Sequence, residues 1–273
     1  MGSRLMRSQA GRTTAQETEY WDRIAREWPH QARTPLWRQH SDRVNGALLA
    51  RWLPRRPMGF VLKTDLFEEA VGDGLYPLLP QWARSAIGID LSHTAVARAM
   101  RRHRQLKGLV ADVRRLPFKS GSFDSIVSTS TLDHFGRASD IEAAFAELNR
   151  VLRPGGELVI TMDNTRNPVL ALRERIQAPL LRLGVLPYFT GVSCDAGGLR
   201  RLLTEAGFEI RDETTVFHAP RVLAMVVARV LDAFGVSRLN RYYLDLVGGF
   251  ERLADSRAGR VTGYFVAARA VKR

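Results

Sequence analysis

The chain has 273 residues, a formal net charge of +13 and 45% hydrophobic residues. That length suits one large α/β domain with its own core, or a domain plus a lid. The single cysteine, Cys194, excludes an intrachain disulfide, and six histidines without paired spacing offer no zinc site. The charge has two readings: a polyanionic partner such as nucleic acid or an anionic membrane face, or a GC-rich genome. The second fits a chain in which all but four of the 41 basic residues are arginine, spread along its length with one denser run at Arg98–Arg104.

In chain order, residues 1–14 are polar and basic and read as a disordered tail without the apolar core of a signal peptide. Residues 15–273 read as a single domain. It opens with a helical flap, 15–56, built from amphipathic helices over 16–27 and 36–53 and split by Thr34-Pro35. The first helix carries Tyr20, Trp21, Ile24 and Trp28 near a three-to-four spacing. This stripe either packs on a sheet or closes over a ligand. A strand is expected over Phe60–Leu66, with a helix after Gly74.

Four short apolar runs follow: Ala86–Asp90, Gly108–Asp112, Phe123–Ser128 and Gly156–Thr161. Between them lie a helix over 93–104 behind the candidate cap Ser92 and a helix over 139–153, stopped by Pro154-Gly155-Gly156. Further helices are expected over 168–183 and 196–206, and strands over Phe208–Val216 and Gly263–Val271. A mostly helical insertion, 218–258, separates those strands. Its most apolar window, Val222–Ala228, is too short to span a bilayer, and a reducing cytoplasm is the expected location.

Strands alternating with helices imply a parallel α/β sheet, whose ligands bind beyond the carboxyl ends of the strands. Asp90 and Asp112 stand at two successive strand ends. An acid at each place suits a ligand with a ribose diol and an adenine amine. Lys63 and Asp65 alternate onto one face of a doubly covered strand, where charges need partners. They form either a structural ion pair or a clasp for a zwitterion, with Lys63 to a carboxylate and Asp65 to an ammonium.

This series resembles the class I S-adenosylmethionine-dependent methyltransferases, most closely the group that includes quinone-biosynthesis enzymes. The resemblance is carried by Asp90, by Val110-Ala-Asp112-Val-Arg-Arg-Leu-Pro-Phe118, by Phe123–Phe135 and by Arg150-Val-Leu-Arg-Pro-Gly-Gly-Glu-Leu-Val-Ile160. It implies a Rossmann-like sheet with an antiparallel last strand, helices on both faces, and S-adenosylmethionine as cofactor. Asp90 would bind the ribose and Asp112 the adenine amine, with Leu91, Val113 and Ser128 flanking the cofactor. The polar pair Asp133-His134 would face the transferred methyl group, with His134 as base.

The family's glycine-rich turn departs from pattern here. In one register, Glu68 is its acidic residue, and Gly72 and Gly74 are its second and third glycines. In the other, Val61-Leu62 begins the motif and Lys63 or Asp65 takes the acidic place. The expected reaction is methyl transfer to a small molecule. A nucleic-acid methyltransferase is disfavoured because Asn167-Pro168-Val169 lacks the signature for base amino groups; a catalytically inactive binding protein is the other alternative. Val222, Leu223, Met225, Val226, Val230 and Leu231 would roof a pocket for a lipophilic acceptor, touch a membrane surface, or pack in the core.

Overall fold

The computed structural model describes residues 13–31, 34–53, 58–183, 186 and 188–273. Seven strands form one sheet: β1 (Met58–Lys63), β2 (Ala83–Asp90), β3 (Lys107–Val110), β4 (Phe123–Thr129), β5 (Leu152–Asp163), β6 (Phe208–Val216) and β7 (Phe265–Lys272). Their order is β3-β2-β1-β4-β5-β7-β6. The first five are parallel, and β7 runs antiparallel to both β5 and β6.

The helices are α1 (Thr14–Gln31), α2 (Pro35–Trp52), α3 (Phe67–Val71), α4 (His93–Arg102), α5 (Ala138–Val151), α6 (Pro168–Arg182), α7 (Ala196–Glu205), α8 (Arg221–Phe234), α9 (Ser237–Gly249) and the single turn α10 (Gly259–Thr262). Alternation along the central strands builds a core on each face of the sheet. Val61, Val127, Val159 and Ala267 face one way and pack with Leu36, Trp37, Leu48 and Leu49 of α2, Ala224 and Ala228 of α8, and Tyr243 and Val247 of α9. Leu62, Ile126, Leu158 and Ala268 face the other way, against Ile141, Phe145 and Leu148 of α5 and Leu199 and Leu203 of α7. The caps follow the local sequence. Ser92 Oγ accepts from Ala95 N at 3.0 Å to start α4, and Asn167 Oδ1 accepts from Val169 N at 3.0 Å to start α6.

Several boundaries differ from expectation. The tail expected over 1–14 lies outside the described residues through residue 12, and Thr14 already opens α1. The side chain of Trp28 also lies outside them. A 3-10 turn over Tyr76–Gln81, with prolines inside it, stands where a full helix after Gly74 is expected. β5 continues past Thr161 to Asp163, because Asp163 pairs with Phe265 of β7.

β1 ends at Lys63, not Leu66, and Thr64–Leu66 turns directly into α3. Glu68 thus lies within the first turn of α3, while Lys63 ends β1 and Asp65 stands in the turn after it. Gly72 closes α3, its N–H donating to Glu68 O at 2.7 Å. Gly74 has φ +59, and a Cβ there would lie 2.5 Å from Glu69 Oε1. Gly74 makes room for Glu69, while a Cβ at Gly72 would meet only Glu68 O and Arg38 at ordinary contact distance. The Glu69 carboxylate is fully buried and pairs with Lys63 Nζ at 2.9 Å. It also accepts from Leu75 N at 2.9 Å and Tyr76 N at 3.2 Å. Lys63 Nζ completes its set with Asp65 O.

This buried pair is a tie between β1, α3 and the 3-10 turn. Lys63→Met leaves the Glu69 charge in the core without its cation. Urea unfolding is expected to show a loss of about 3–5 kcal/mol; an unchanged midpoint would contradict the structural role.

Candidate functional site

The carboxyl ends of β2, β1, β4 and β5, neighbours in the sheet, each lead to an acid: Asp90, Asp65, Asp133 and Asp163. Asp133 and Asp163 are fully buried. Asp90 Oδ1 accepts from Ser92 N at 2.8 Å and Oδ2 from Leu66 N at 3.1 Å. Asp65 Oδ1 accepts from Phe67 N at 3.0 Å. Burial raises the pKa of both groups, and the charge of Asp90 raises Asp65 further. Among the described residues, no basic side chain lies within ion-pair distance of any of the four carboxylates. Lys63 acts on Asp65 and Asp90, and Arg173 on Asp133 and Asp163, only at longer range.

Asp112 lies two residues past β3 and is held on both oxygens by Arg114, at 3.0 Å from Nε to Oδ1 and 2.7 Å from Nη2 to Oδ2. The same guanidinium pairs with Glu17 of α1 and reaches Asp140 at 3.4 Å. Other expected residues serve the framework. Ser128 is buried and bonded to Thr64 Oγ1 at 2.9 Å, tying β4 to β1. Val113 packs in the core. Glu68 pairs outward with Arg38 of α2 at 2.9 Å. Leu91 is half-buried between Asp90 and Ser92. The geometry thus gathers Asp65, Asp90, Leu91 and Asp112 at the crevice and keeps Lys63, Glu68, Gly72, Gly74, Val113 and Ser128 in supporting positions.

Helix α1 crosses above these strand ends. Asp22 Oδ1 accepts from Ser92 Oγ at 2.6 Å and Thr94 N at 2.9 Å, an anion at the start of α4. Glu17 meets Arg114 near β3, and Tyr20 Oη accepts from Phe189 N at 2.9 Å. Between them the Trp21 ring lies 4.9 Å from the His134 ring and 6.1 Å from Tyr188. The aromatic stripe therefore splits its roles. Tyr20 and Ile24 are buried, while Trp21 covers the site.

His134 follows β4 in a short 3-10 turn, Leu132–His134. Burial drives its pKa down to about 4 against the pull of Asp163, so the imidazole is neutral at pH 7. Its Nδ1 has no hydrogen-bond partner within the protein. Asp133 and His134 do not bond to each other. Asp133 Oδ2 instead accepts from Ser130 Oγ at 3.0 Å, and Ser130 sits at φ 50, a strained conformation for a residue with a Cβ. Asp133 and Asp163 are both raised in pKa by burial, and the charge of Asp133 adds to the rise at Asp163. Arg221 and Arg173 oppose that rise. Arg173 Nη1 donates to Tyr264 Oη at 3.0 Å, and Arg221 lies over the Tyr264 ring at 4.2 Å.

Sequence reasoning missed Asp163, Arg173, Tyr188, Arg221 and Tyr264. Asp163 carried a signal, since it is another acid at a strand end. The other four stand in segments without a motif, and only the tertiary fold brings them together.

A family described as a methyltransferase domain matches residues 67–160. A probable S-adenosylmethionine-dependent methyltransferase of Mycolicibacterium smegmatis is 28% identical over 201 residues, 73% of each chain. A demethylmenaquinone methyltransferase of Beutenbergia cavernae is 37% identical over 107 residues, 39% of this chain and 42% of its own. Among solved structures, the geranyl diphosphate C-methyltransferase of Streptomyces coelicolor, bound to Mg2+, geranyl diphosphate and S-adenosyl-L-homocysteine, superposes with TM-score 0.55. It is 14% identical, and the match covers 84% of this chain and 78% of that one. Residues 67–160 thus match a methyltransferase domain, and the chain is similar in sequence to S-adenosylmethionine-dependent methyltransferases and in fold to Rossmann-like ones.

The residues present fit that cofactor on charge. S-adenosylmethionine carries a sulfonium and an ammonium beside one carboxylate, and the acids over β2, β1, β4 and β5 have no direct ion-pair partner among the described residues. A carboxylate that accepts two ribose hydroxyls makes charge-assisted bonds. Asp90→Ala is therefore expected to weaken S-adenosylmethionine binding by about 2–4 kcal/mol in calorimetry on folded protein. Unchanged affinity would remove Asp90 from the site.

Proposed function

We propose that the enzyme methylates a small lipophilic acceptor, held beyond the ends of β4 and β5 beneath Trp21 and Tyr188, with His134 as the proton acceptor. The observation that carries this reading is the neutral His134 imidazole with an unpartnered Nδ1, set among aromatic rings beside buried acids. The relatives that act on a demethylmenaquinone or on geranyl diphosphate, by their names, support an apolar small-molecule acceptor.

Mechanism

The cofactor supplies an activated methyl group on a sulfonium. The chain then has to hold a nucleophile in line with it and exclude water. In this proposal Asp90 and Asp65 would hold the ribose and the ammonium, and Asp112, shared with Arg114, the adenine amine. Trp21 and Tyr188 close the apolar side of the chamber. His134 Nδ1 would accept the proton of an acceptor hydroxyl as the methyl group is transferred. Asp163 favours the resulting imidazolium, the direction in which its charge already acts on His134. Asp133 serves as a positioning residue, holding the strained Ser130 and so the turn that carries His134.

His134→Gln is expected to leave S-adenosylmethionine affinity within twofold while cutting turnover on the acceptor by about 100-fold or more. Screening extract fractions with methyl-labelled cofactor supplies the acceptor. Turnover in the variant equal to wild type would overturn the assignment of the base.

Asp163 also sets a pH dependence. Its pKa is raised, so its charge is present above that raised value and lost as pH falls through it. The wild-type kcat/KM is expected to fall on the acid side at a pH well above the ordinary aspartate range. Asp163→Asn should lower the plateau and remove that limb. An identical limb in the variant would assign the titration to another group.

A further inference from the structure

The α8–α9 hairpin presents an apolar surface that the methyl-transfer site does not use. On α8, Val222 is 66% exposed, Leu223 64%, Val226 57% and Phe234 73%. With Val227 and Val230 they fall within one arc of about 140° at 100° per residue. The opposite side of α8 is the packed one, with Ala224 and Ala228 buried in the core and Met225 and Leu231 against it. Leu239, Tyr242 and Leu246 form an exposed stripe on α9. Gly235, at φ 66, turns the chain between the helices, and both pack against α2 and each other. Their outer stripes therefore face away from the core together. The apolar run that sequence alone allows as core is divided, half of it inward and half toward solvent.

Charge selects the occupant of this surface. Arg229, Arg238 and Arg241 are exposed beside the stripes, and none has an ion-pair partner among the described residues. The acids of the hairpin are engaged elsewhere: Asp232 accepts from Leu36 N at 3.2 Å, and Asp245 faces Arg43 at 3.6 Å. An apolar stripe bordered by unpaired arginines is complementary to anionic headgroups over acyl chains. A second copy related by a twofold axis would bring these arginines toward one another, in a chain of net charge +13.

We propose that the outer face of the α8–α9 hairpin docks on an anionic lipid bilayer. The surface stays peripheral, since no helix among the described residues is long and apolar enough to cross a membrane. Docking also orients the enzyme. Arg221 starts α8 and stacks on Tyr264, which bonds Arg173, so the end of the docked helix adjoins the side chains proposed to hold the acceptor. A lipophilic acceptor dissolved in the bilayer then reaches the site without crossing water. This last step rests on the lipophilic acceptor proposed above; docking itself does not.

Cosedimentation with vesicles tests the proposal, using equimolar phosphatidylglycerol and phosphatidylcholine against phosphatidylcholine alone. The wild-type protein is expected to bind the anionic vesicles at least tenfold more tightly than the neutral ones, and less tightly as salt rises. The double substitution Val226→Glu, Val230→Glu and the double substitution Arg229→Glu, Arg241→Glu should each weaken anionic binding at least tenfold. Three results would overturn it: no preference for anionic vesicles, variants that bind as wild type does, or a wild-type dimer in sedimentation equilibrium that Val226→Glu dissociates. S-adenosylmethionine affinity, measured on every variant, separates this outcome from the methyltransferase reading: retained affinity with lost lipid binding touches the docking face alone.

Discussion

Four carboxyl groups stand at the carboxyl ends of four adjacent parallel strands, and no basic side chain among the described residues pairs with them directly. Removing an ionised carboxylate from water is costly without a partner, and the protein responds by raising its affinity for a proton. Asp65, Asp90, Asp133 and Asp163 all show that response. A cationic ligand would replace the proton and lift that cost, which is how the proposed site would select its cofactor. The same low-dielectric strip explains the neighbouring His134, whose imidazole is forced neutral by burial while a carboxylate waits to stabilise its protonated form.

The turn after β1 meets the same constraint without glycine. Where the family places small residues, this chain has Asp65, Phe67 and Glu69. Glu69 turns inward to Lys63, and Leu66 lies over Gly88 of β2, where a Cβ would come within 2.3 Å of its side chain. A buried ion pair and an apolar contact hold the turn shape that backbone freedom holds elsewhere. Lys63 is thereby committed to the framework, and Asp65 remains the acid nearest the crevice. Helix α1 completes the enclosure through Asp22, Glu17 and Tyr20, each fixed to a different part of the rim.

Most of the sheet was legible because strand and helix periods differ and because Pro154-Gly155 punctuates one junction clearly. Asp90 and Asp112 were legible for the same reason: each stands where an apolar run stops. The pairing of Glu69 with Lys63, six residues apart, was not, since no local pattern announces it and Gly74, which fits the family spacing, makes room for Glu69. Asp163 was missed because β5 was stopped at Thr161. Its last two residues are strand only through β7, more than a hundred positions later. Arg173, Tyr188 and Tyr264 converge from three segments, and such convergence leaves no mark in local sequence.

The central claim is that the acids at the strand ends await a cation, and titration of their carboxyl carbons by NMR reads it directly. With carbon-13 labelled aspartate, the account predicts that Asp65 and Asp90 titrate well above the ordinary aspartate range in the free protein. Saturating S-adenosylmethionine should move both downward, and so should its sulfide product, which keeps the ammonium and the ribose diol. Ordinary values in the free protein, or titrations that neither ligand moves, would contradict it.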